Sequence, residues 1–310
     1  MRTRFIQTLT ELAREDSRIW LVVADLGFSV VEEFEKEFPE RFVNTGIAEA
    51  NAVSIAGGLA LSGKIPYVYS IAPFVSMRAF EQVRLDCAYM NNRVRLVGVG
   101  GGVAYGAAGA THHAIEDLAL MRALPNMTVL APGDPVEVEQ LVRQSIGLAG
   151  PAYIRLNKNN EPVVTPQAVC RIGRANVYAA EGALHLLTTG NMFEPGMALR
   201  EILLREYGLE ASLANLHTVK PLDEDYVRSL IATGGAIFTL EEHNRCGGLG
   251  SAVAEVLAEA GAGVLFRRFA IPDAYSHYVG SQDYIRRQWQ LDPESVARQI
   301  AALMPGRASS

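Results

Sequence analysis

Apolar positions in the first half of the chain follow two alternating rhythms. Phe5, Ile6, Leu9, Leu12 and Ala13 recur at the spacing of one helical face. Residues 19–24, Ile-Trp-Leu-Val-Val-Ala, form an unbroken apolar run that stops at Asp25. A run without alternation suits a strand covered on both faces, as in a parallel sheet. The same signal marks 65–69, 94–99, 127–130 and 152–156, with helical stretches at 47–61, 74–90, 114–123 and 135–148. Strand and helix in turn imply a doubly wound sheet. Asn157-Lys158-Asn159-Asn160-Glu161-Pro162 and Pro166 then break the pattern, which reads as a linker or a strand-poor crossover. A second alternating unit follows, with strands at 184–188, 211–216, 236–240 and 264–269 and helices at 197–207, 223–232, 251–260 and 293–303. The expectation is an α/β chain of two doubly wound domains, 1–160 and 181–304, joined by a linker at 161–180 and ending in a frayed tail at 305–310.

Composition excludes several functions. A net charge of −6 without a basic, aromatic-interleaved run argues against a nucleic-acid binder. The three cysteines, Cys87, Cys170 and Cys246, lie far apart with no CxxC pair, which is neither a zinc pattern nor a disulfide framework. Together with an N-terminus that turns polar early, this implies a reducing cytoplasm. No apolar run approaches the ~20 residues of a membrane span.

Common motifs fail on their mechanism. Gly58-Leu59-Ala60-Leu61-Ser62-Gly63-Lys64-Ile65 nearly matches a phosphate-binding loop, but it closes a helix and ends in Ile where a metal-binding hydroxyl is needed. Residues 98–106, Gly-Val-Gly-Gly-Gly-Val-Ala-Tyr-Gly, miss the dinucleotide spacing. They read either as a flexible loop or, because they follow a strand of an open sheet, as part of a site. There is no GxSxG and no HExxH.

The informative signal is five segments in fixed order: Val23-Ala24-Asp25-Leu26; 44–51, Asn-Thr-Gly-Ile-Ala-Glu-Ala-Asn; 72–84, Ala-Pro-Phe-Val-Ser-Met-Arg-Ala-Phe-Glu-Gln-Val-Arg; 109–117, Gly-Ala-Thr-His-His-Ala-Ile-Glu-Asp; and Leu124-Pro125-Asn126-Met127 leading to Ala131-Pro132-Gly133-Asp134. This set resembles the pyrimidine-binding domain of transketolases and 1-deoxyxylulose-5-phosphate synthases. The remainder is similar to their C-terminal domain through Thr218-Val219-Lys220-Pro221-Leu222-Asp223 and Gly247-Gly248-Leu249-Gly250-Ser251. The Gly-Asp-Gly…Asn segment with which that family holds magnesium and the cofactor's diphosphate is missing. The resemblance therefore implies one half of a split transketolase. A partner polypeptide would carry the diphosphate and Mg2+ site, and two copies of each chain make the simplest symmetric assembly, alpha2beta2.

The resemblance also assigns roles, with no metal ligand on this chain. Glu49 would share a proton with the aminopyrimidine of thiamine diphosphate, so that the protein tunes the cofactor and the cofactor does the hard step. A carboxyl group in that role must be able to donate, and desolvation favours the neutral acid; Ile47, Ala48, Ala50, Ala52, Ile55 and Ala56 offer a dry pocket. Phe74 would be the ring platform, with Ile71 and Met77 at positions where the family carries aromatics, and Asp25 would lie near the thiazolium. His112 would face substrate; His113 need not share that role. Arg4, Ser29 and Arg155 would hold an anionic substrate end, for which arginine's planar fork is suited. Two departures, Ala108 for a hydroxyl-reading aspartate and Gly100 for a histidine, point away from the ordinary pentose-phosphate pair. Read alone, Glu49 is a helix-start carboxylate, Asp25 a strand-end cap, Phe74 core, and the histidines structural. The expected activity is transfer of a two-carbon ketol unit from a ketose to an aldose. A synthase-like half that first decarboxylates a 2-oxoacid, a 2-oxoacid dehydrogenase beta-like subunit and a non-enzymatic assembly subunit stay open.

Overall fold

The computed structural model describes residues 1–158, 161–165 and 168–304. The expected frayed tail at 305–310, and Asn159, Asn160 and Pro166 of the expected linker, lie outside the described residues. The chain runs α1 (Arg2–Glu15), β1 (Ile19–Val23), α2 (Glu32–Glu37), β2 (Phe42–Asn44), α3 (Glu49–Leu61), β3 (Ile65–Ile71), α4 (Phe80–Gln82), β4 (Arg95–Val99), α5 (Asp117–Ala123), β5 (Thr128–Leu130), α6 (Pro135–Ser145) and β6 (Ala152–Leu156). It continues through β7 (Asn176–Ala179), β8 (Leu184–Thr188), α7 (Phe193–Tyr207), β9 (Ala211–Asn215), β10 (Thr218–Lys220), α8 (Glu224–Ala232), β11 (Ala236–Asn244), α9 (Leu249–Glu259), β12 (Phe266–Ile271), α10 (Gln282–Gln288) and α11 (Pro293–Leu303).

The apolar runs became strands covered on both faces. The first sheet has the order β10-β5-β6-β4-β3-β1-β2, parallel except for β10. One face packs on α1 and α6 through Phe5, Leu9, Val138 and Leu141. The other packs on α3 and the helical segment after β3 through Ala52, Val53, Ala56, Val75 and Val83. The second sheet has the order β12-β11-β8-β9-β7, with β7 antiparallel. The α/β expectation of two wound sheets therefore holds. Local differences have local causes. The stretch expected to be an α-helix over 74–90 contains two π-helical pieces, Phe74–Arg78 and Val83–Tyr89, on either side of α4; such bulges often mark functional sites. Inside the stretch read as linker, Asn176–Ala179 pairs with β9 as an edge strand. β10 leaves the second unit and pairs antiparallel with β5 of the first sheet. Among the described residues, no helix is long and apolar enough to cross a membrane.

The two units meet around a buried ion pair. Arg155, in the middle of β6, donates from Nε to Asp117 Oδ2 at 2.9 Å, and from Nη2 to the carbonyls of Ala114 at 2.7 Å and Glu242 at 3.0 Å. Tyr153 donates its hydroxyl to the same Asp117 oxygen at 2.7 Å. From β11 the Glu242 carboxylate accepts from Val103 N, Asn191 Nδ2, Gln282 Nε2 and Arg286 Nε. Thus the loop between β4 and α5 is held at Val103 and Ala114 by groups that also bind the second unit.

Removing one partner of a fully buried pair strands the other charge, at a cost of about 3–5 kcal/mol. Asp117→Ala, which leaves Arg155 unpaired, is expected to lower stability by that amount in urea unfolding. A loss under about 1 kcal/mol would show that the junction does not depend on the pair.

Candidate active site

Open parallel sheets bind ligands beyond the carboxyl ends of their strands. The topology brings five chain segments to that edge: Asp25 follows β1, Glu49 opens α3 after β2, Phe74 follows β3, His112 lies in the loop after β4, and Lys158 follows β6. The loop after β1 is held in unusual backbone. Asp25 (φ 49°) and Ser29 (φ 62°) both take the left-handed conformation that non-glycine residues seldom adopt. Asp25 N donates to Asn44 Oδ1 at 3.1 Å, and Ser29 N donates to Glu32 Oε1 at 2.6 Å. Both side chains stay exposed.

Glu49 is the first residue of α3 and is 2% exposed. Ser70, one residue before Ile71 at the end of β3, donates its hydroxyl to Oε1 at 3.3 Å. The dry pocket expected from the sequence is not as drawn: Ile47 is exposed, only Ala52 and Ala56 of the expected lining are fully buried, and Arg78 reaches Oε2 at 2.8 Å. The guanidinium carbon of Arg78 also lies 4.3 Å from the centroid of the Phe74 ring. One planar, N–H-bearing group thus contacts both a carboxylate edge and an aromatic face. The sequence shows Arg78 inside the third of the five segments and gives it no role. Met77 is half-buried beside it, and Ile71 is buried at the strand end.

His112 stands edge-on to Phe74, with centroids 5.2 Å apart, and tilts toward Tyr105 at 5.9 Å. Its Nδ1 is 2.9 Å from the Thr111 hydroxyl. His113 points elsewhere: it is buried, with Nε2 unpartnered, and burial pushes its pKa down. The Gly100 departure has a steric reason. At φ 82°, a Cβ there would meet the Tyr105 ring at 2.1 Å. Tyr105 therefore occupies the space that a side chain at position 100 would need. Ala108 is exposed on the turn Gly106–Ala108, and its carbonyl accepts from the Thr111 hydroxyl at 3.3 Å.

The three residues expected at an anionic substrate end do not converge. Ser29 is at the right edge of the sheet, as described. Arg155 is the buried strut of the domain junction, where its Nε and Nη2 are taken by Asp117 and by the carbonyls of Ala114 and Glu242; its place inside the apolar run of β6 was the signal that it would be covered. Arg4 is exposed on α1 and lies 3.5 Å from Glu139 of α6. Positions two apart on a helix face opposite ways, and it is Arg2 that turns to the site. Arg2 is half-buried, and its charge is felt by the Tyr69 and Tyr105 phenols. Lys158, just past the end of β6, places Nζ 4.1 Å from the Tyr105 ring centroid. Besides Arg78, Arg2 and Lys158 bring positive charge to this edge, two and three residues from the expected Arg4 and Arg155.

Residues 1–163 match the family described as transketolase, pyrimidine binding domain, and residues 173–296 match transketolase, C-terminal domain. The chain is 37% identical over 304 residues to a subunit of the apulose-4-phosphate transketolase of Phocaeicola vulgatus, covering 96% of this chain and 95% of that protein. It is 35% identical over 302 residues to 6-deoxy-6-sulfo-D-fructose transketolase subunit SqwH of Clostridium sp. (strain MSTE9), covering 96% and 92%. Its fold is similar to a solved structure, a split gene transketolase in the form of an inactive beta4 tetramer, with a TM-score of 0.86, 34% identity and 97% of both chains covered. A pyrimidine-binding domain of this kind implies thiamine diphosphate, and a split transketolase implies a partner. The chain belongs to the transketolase family, as the subunit of a two-part enzyme that carries the pyrimidine-binding and C-terminal domains.

Proposed function

We propose that this subunit joins a partner chain bearing the diphosphate and Mg2+ site, and that the pair moves a two-carbon ketol unit from an anionic ketose to an aldose. The observation that carries the reading is the double contact of Arg78. A flat group with an N–H edge already sits between the Phe74 face and the Glu49 carboxylate. Those two residues therefore fit an aminopyrimidine, which has the same face and a comparable edge. When bound, thiamine diphosphate supplies a carbon nucleophile that takes up the ketol unit.

The chain's own residues then have distinct tasks. Phe74 and the half-buried Met77 pack the ring. Glu49 engages its edge. With Arg78 moved off, that carboxyl group would lie buried beside Ser70 with its Oε2 free to meet the ring edge. His112, edge-on to Phe74, reaches over the same shelf toward substrate, and Asp25 lies at the adjoining strand end. Arg2, Lys158 and Ser29 hold the anionic end, in place of Arg4 and Arg155; a phosphate or sulfonate suits two cations around one phenol. Exposed Ala108 leaves the donor's hydroxyls less strictly read. The reading includes a pyrimidine-binding domain over 1–160, a linker over 161–180, a C-terminal domain over 181–304, an alpha2beta2 assembly and a cytoplasmic setting.

Ketol transfer is expected only when this chain is combined with the partner, thiamine diphosphate and Mg2+. Glu49→Gln in that complex should lower kcat by about 10²–10⁴-fold, the usual worth of a positioned acid or base. Activity of this chain alone, or an unchanged rate in Glu49→Gln, sinks the proposal.

Each hydrogen bond to a charged group contributes about 1.5–3 kcal/mol. Lys158→Ala and Arg2→Ala should therefore each raise KM for a phosphorylated donor by about 10–100-fold, with a much smaller effect on an uncharged ketose. Arg4→Ala should leave both unchanged. Equal effects on charged and neutral donors would remove these residues from anion binding.

A further inference from the structure

Three side chains from three parts of the chain meet where the two units join. Glu137 is in the first turns of α6, Cys170 lies in the connection before β7, and His217 lies between β9 and β10. One potential ligand atom from each lies within 4.8 Å of the others, and all three residues are buried. Their separations in sequence, 33 and 47 residues, hide the set from any spacing motif.

Each member is held by its surroundings with some capacity left. Glu137 Oε2 accepts from Gly133 N at 2.6 Å and Asn215 Nδ2 at 2.7 Å, and Oε1 accepts from Asn176 Nδ2 at 2.6 Å. A carboxylate has about four acceptor sites, so one remains on Oε1. Cys170 is clamped through its backbone by two α6 side chains: its N donates to Gln140 Oε1 at 2.7 Å, and its carbonyl accepts from Gln144 Nε2 at 2.8 Å. The His217 ring is fully buried, with Nδ1 3.0 Å from Thr218 Oγ1 and Nε2 without a partner. The Thr218 oxygen also accepts from Gly173 N at 3.0 Å. With Nδ1–H donating to that oxygen, Nε2 carries a lone pair, the arrangement by which a metal-bound histidine is usually oriented.

We propose that Glu137, Cys170 and His217 bind a zinc-class divalent cation that pins the joint between the two units. Thiolate, imidazole and carboxylate together suit zinc, whereas Mg2+ and Ca2+ take oxygen ligands. Bonds of about 2.0–2.3 Å put tetrahedral donor atoms roughly 3.3–3.8 Å apart. The widest separation must therefore close by up to about 1.5 Å. The fourth position is left for water or the second carboxylate oxygen. This cation is separate from the one assigned to the partner chain, and the inference does not rest on the enzymatic reading.

The test uses the full chain, grown with added zinc and then desalted, and also unfolded in chelator and refolded with Co2+. Expected are about one zinc per chain by mass spectrometry and, with cobalt, a tetrahedral spectrum with a thiolate-to-metal charge-transfer band. The band should vanish in Cys170→Ser and persist in Cys246→Ser, which alters the exposed cysteine. Affinity should fall about 100-fold or more in Cys170→Ser and His217→Gln. Added zinc should raise the melting temperature of the wild type and not of Cys170→Ser. Metal content below about a tenth of an equivalent, or a thiolate-free cobalt spectrum, overturns the proposal. So does a band that survives Cys170→Ser. Should the variants fail to fold, the wild-type metal content and cobalt spectrum decide the matter by themselves.

Discussion

The geometry of the site depends on one buried charge. Arg155 is anchored in the first sheet, yet its donors satisfy the carbonyl of Ala114 in the loop after β4 and the carbonyl of Glu242 in the second sheet. A well-packed apolar cluster of equal volume could hold the two units together as firmly as such an ion pair. It could not donate to those two carbonyls, of which the Ala114 oxygen also accepts from Gly102 N at 2.9 Å, and a hydrogen bond from a charged donor contributes about 1.5–3 kcal/mol. The ion pair therefore acts as a positioning device. It fixes the end of the loop near Ala114, while Glu242 fixes the beginning at Val103. Between these anchors hang Tyr105 and His112, whose rings complete the shelf around Phe74. The C-terminal unit, distant from Glu49 and Phe74 in sequence, thereby shapes the candidate site through the loop.

The same device explains what could be read from the sequence. Strands that became sheet centres were legible because burial on both faces leaves an unbroken apolar run, as at 152–156 and 184–188. Short edge strands such as Phe42–Asn44 and Asn176–Ala179 escaped, since a strand with one free edge and exposed side chains has no strong pattern. Glu49 was legible through the order of its neighbours as the residue that opens a small-residue helix, and it is the first residue of α3. Arg155 is a strut where the sequence suggests a substrate contact; an arginine flanked by Tyr-Ile and Leu in a central strand must be covered. Arg4 differs from its expected place because helix phase cannot be set from two residues; the structure assigns the inward face to Arg2. Arg78 is silent in the sequence because its role appears only when the Phe74 face and the Glu49 carboxylate are seen on either side of one guanidinium.

Arg78 also bears on why the site is divided between chains. Its side chain is about half exposed, while Glu49 is buried, so the pair spans a steep change in solvation. A cation at the wet end steadies the carboxylate at little cost, because its own hydration is largely kept. On the proposed reading, a cofactor ring entering the same place would displace that cation and would need water excluded from its outer side. In that reading Glu49, Ser70 and Phe74 form an inner wall, and a partner surface would supply the outer one. The exposed apolar residues close in sequence to that wall, Ile47 before α3 and Leu85 and Tyr89 in the second π-helical piece, have no packing partner in the core clusters of this chain. On that reading, a partner surface that covers them would also close the site and lower the dielectric around Glu49.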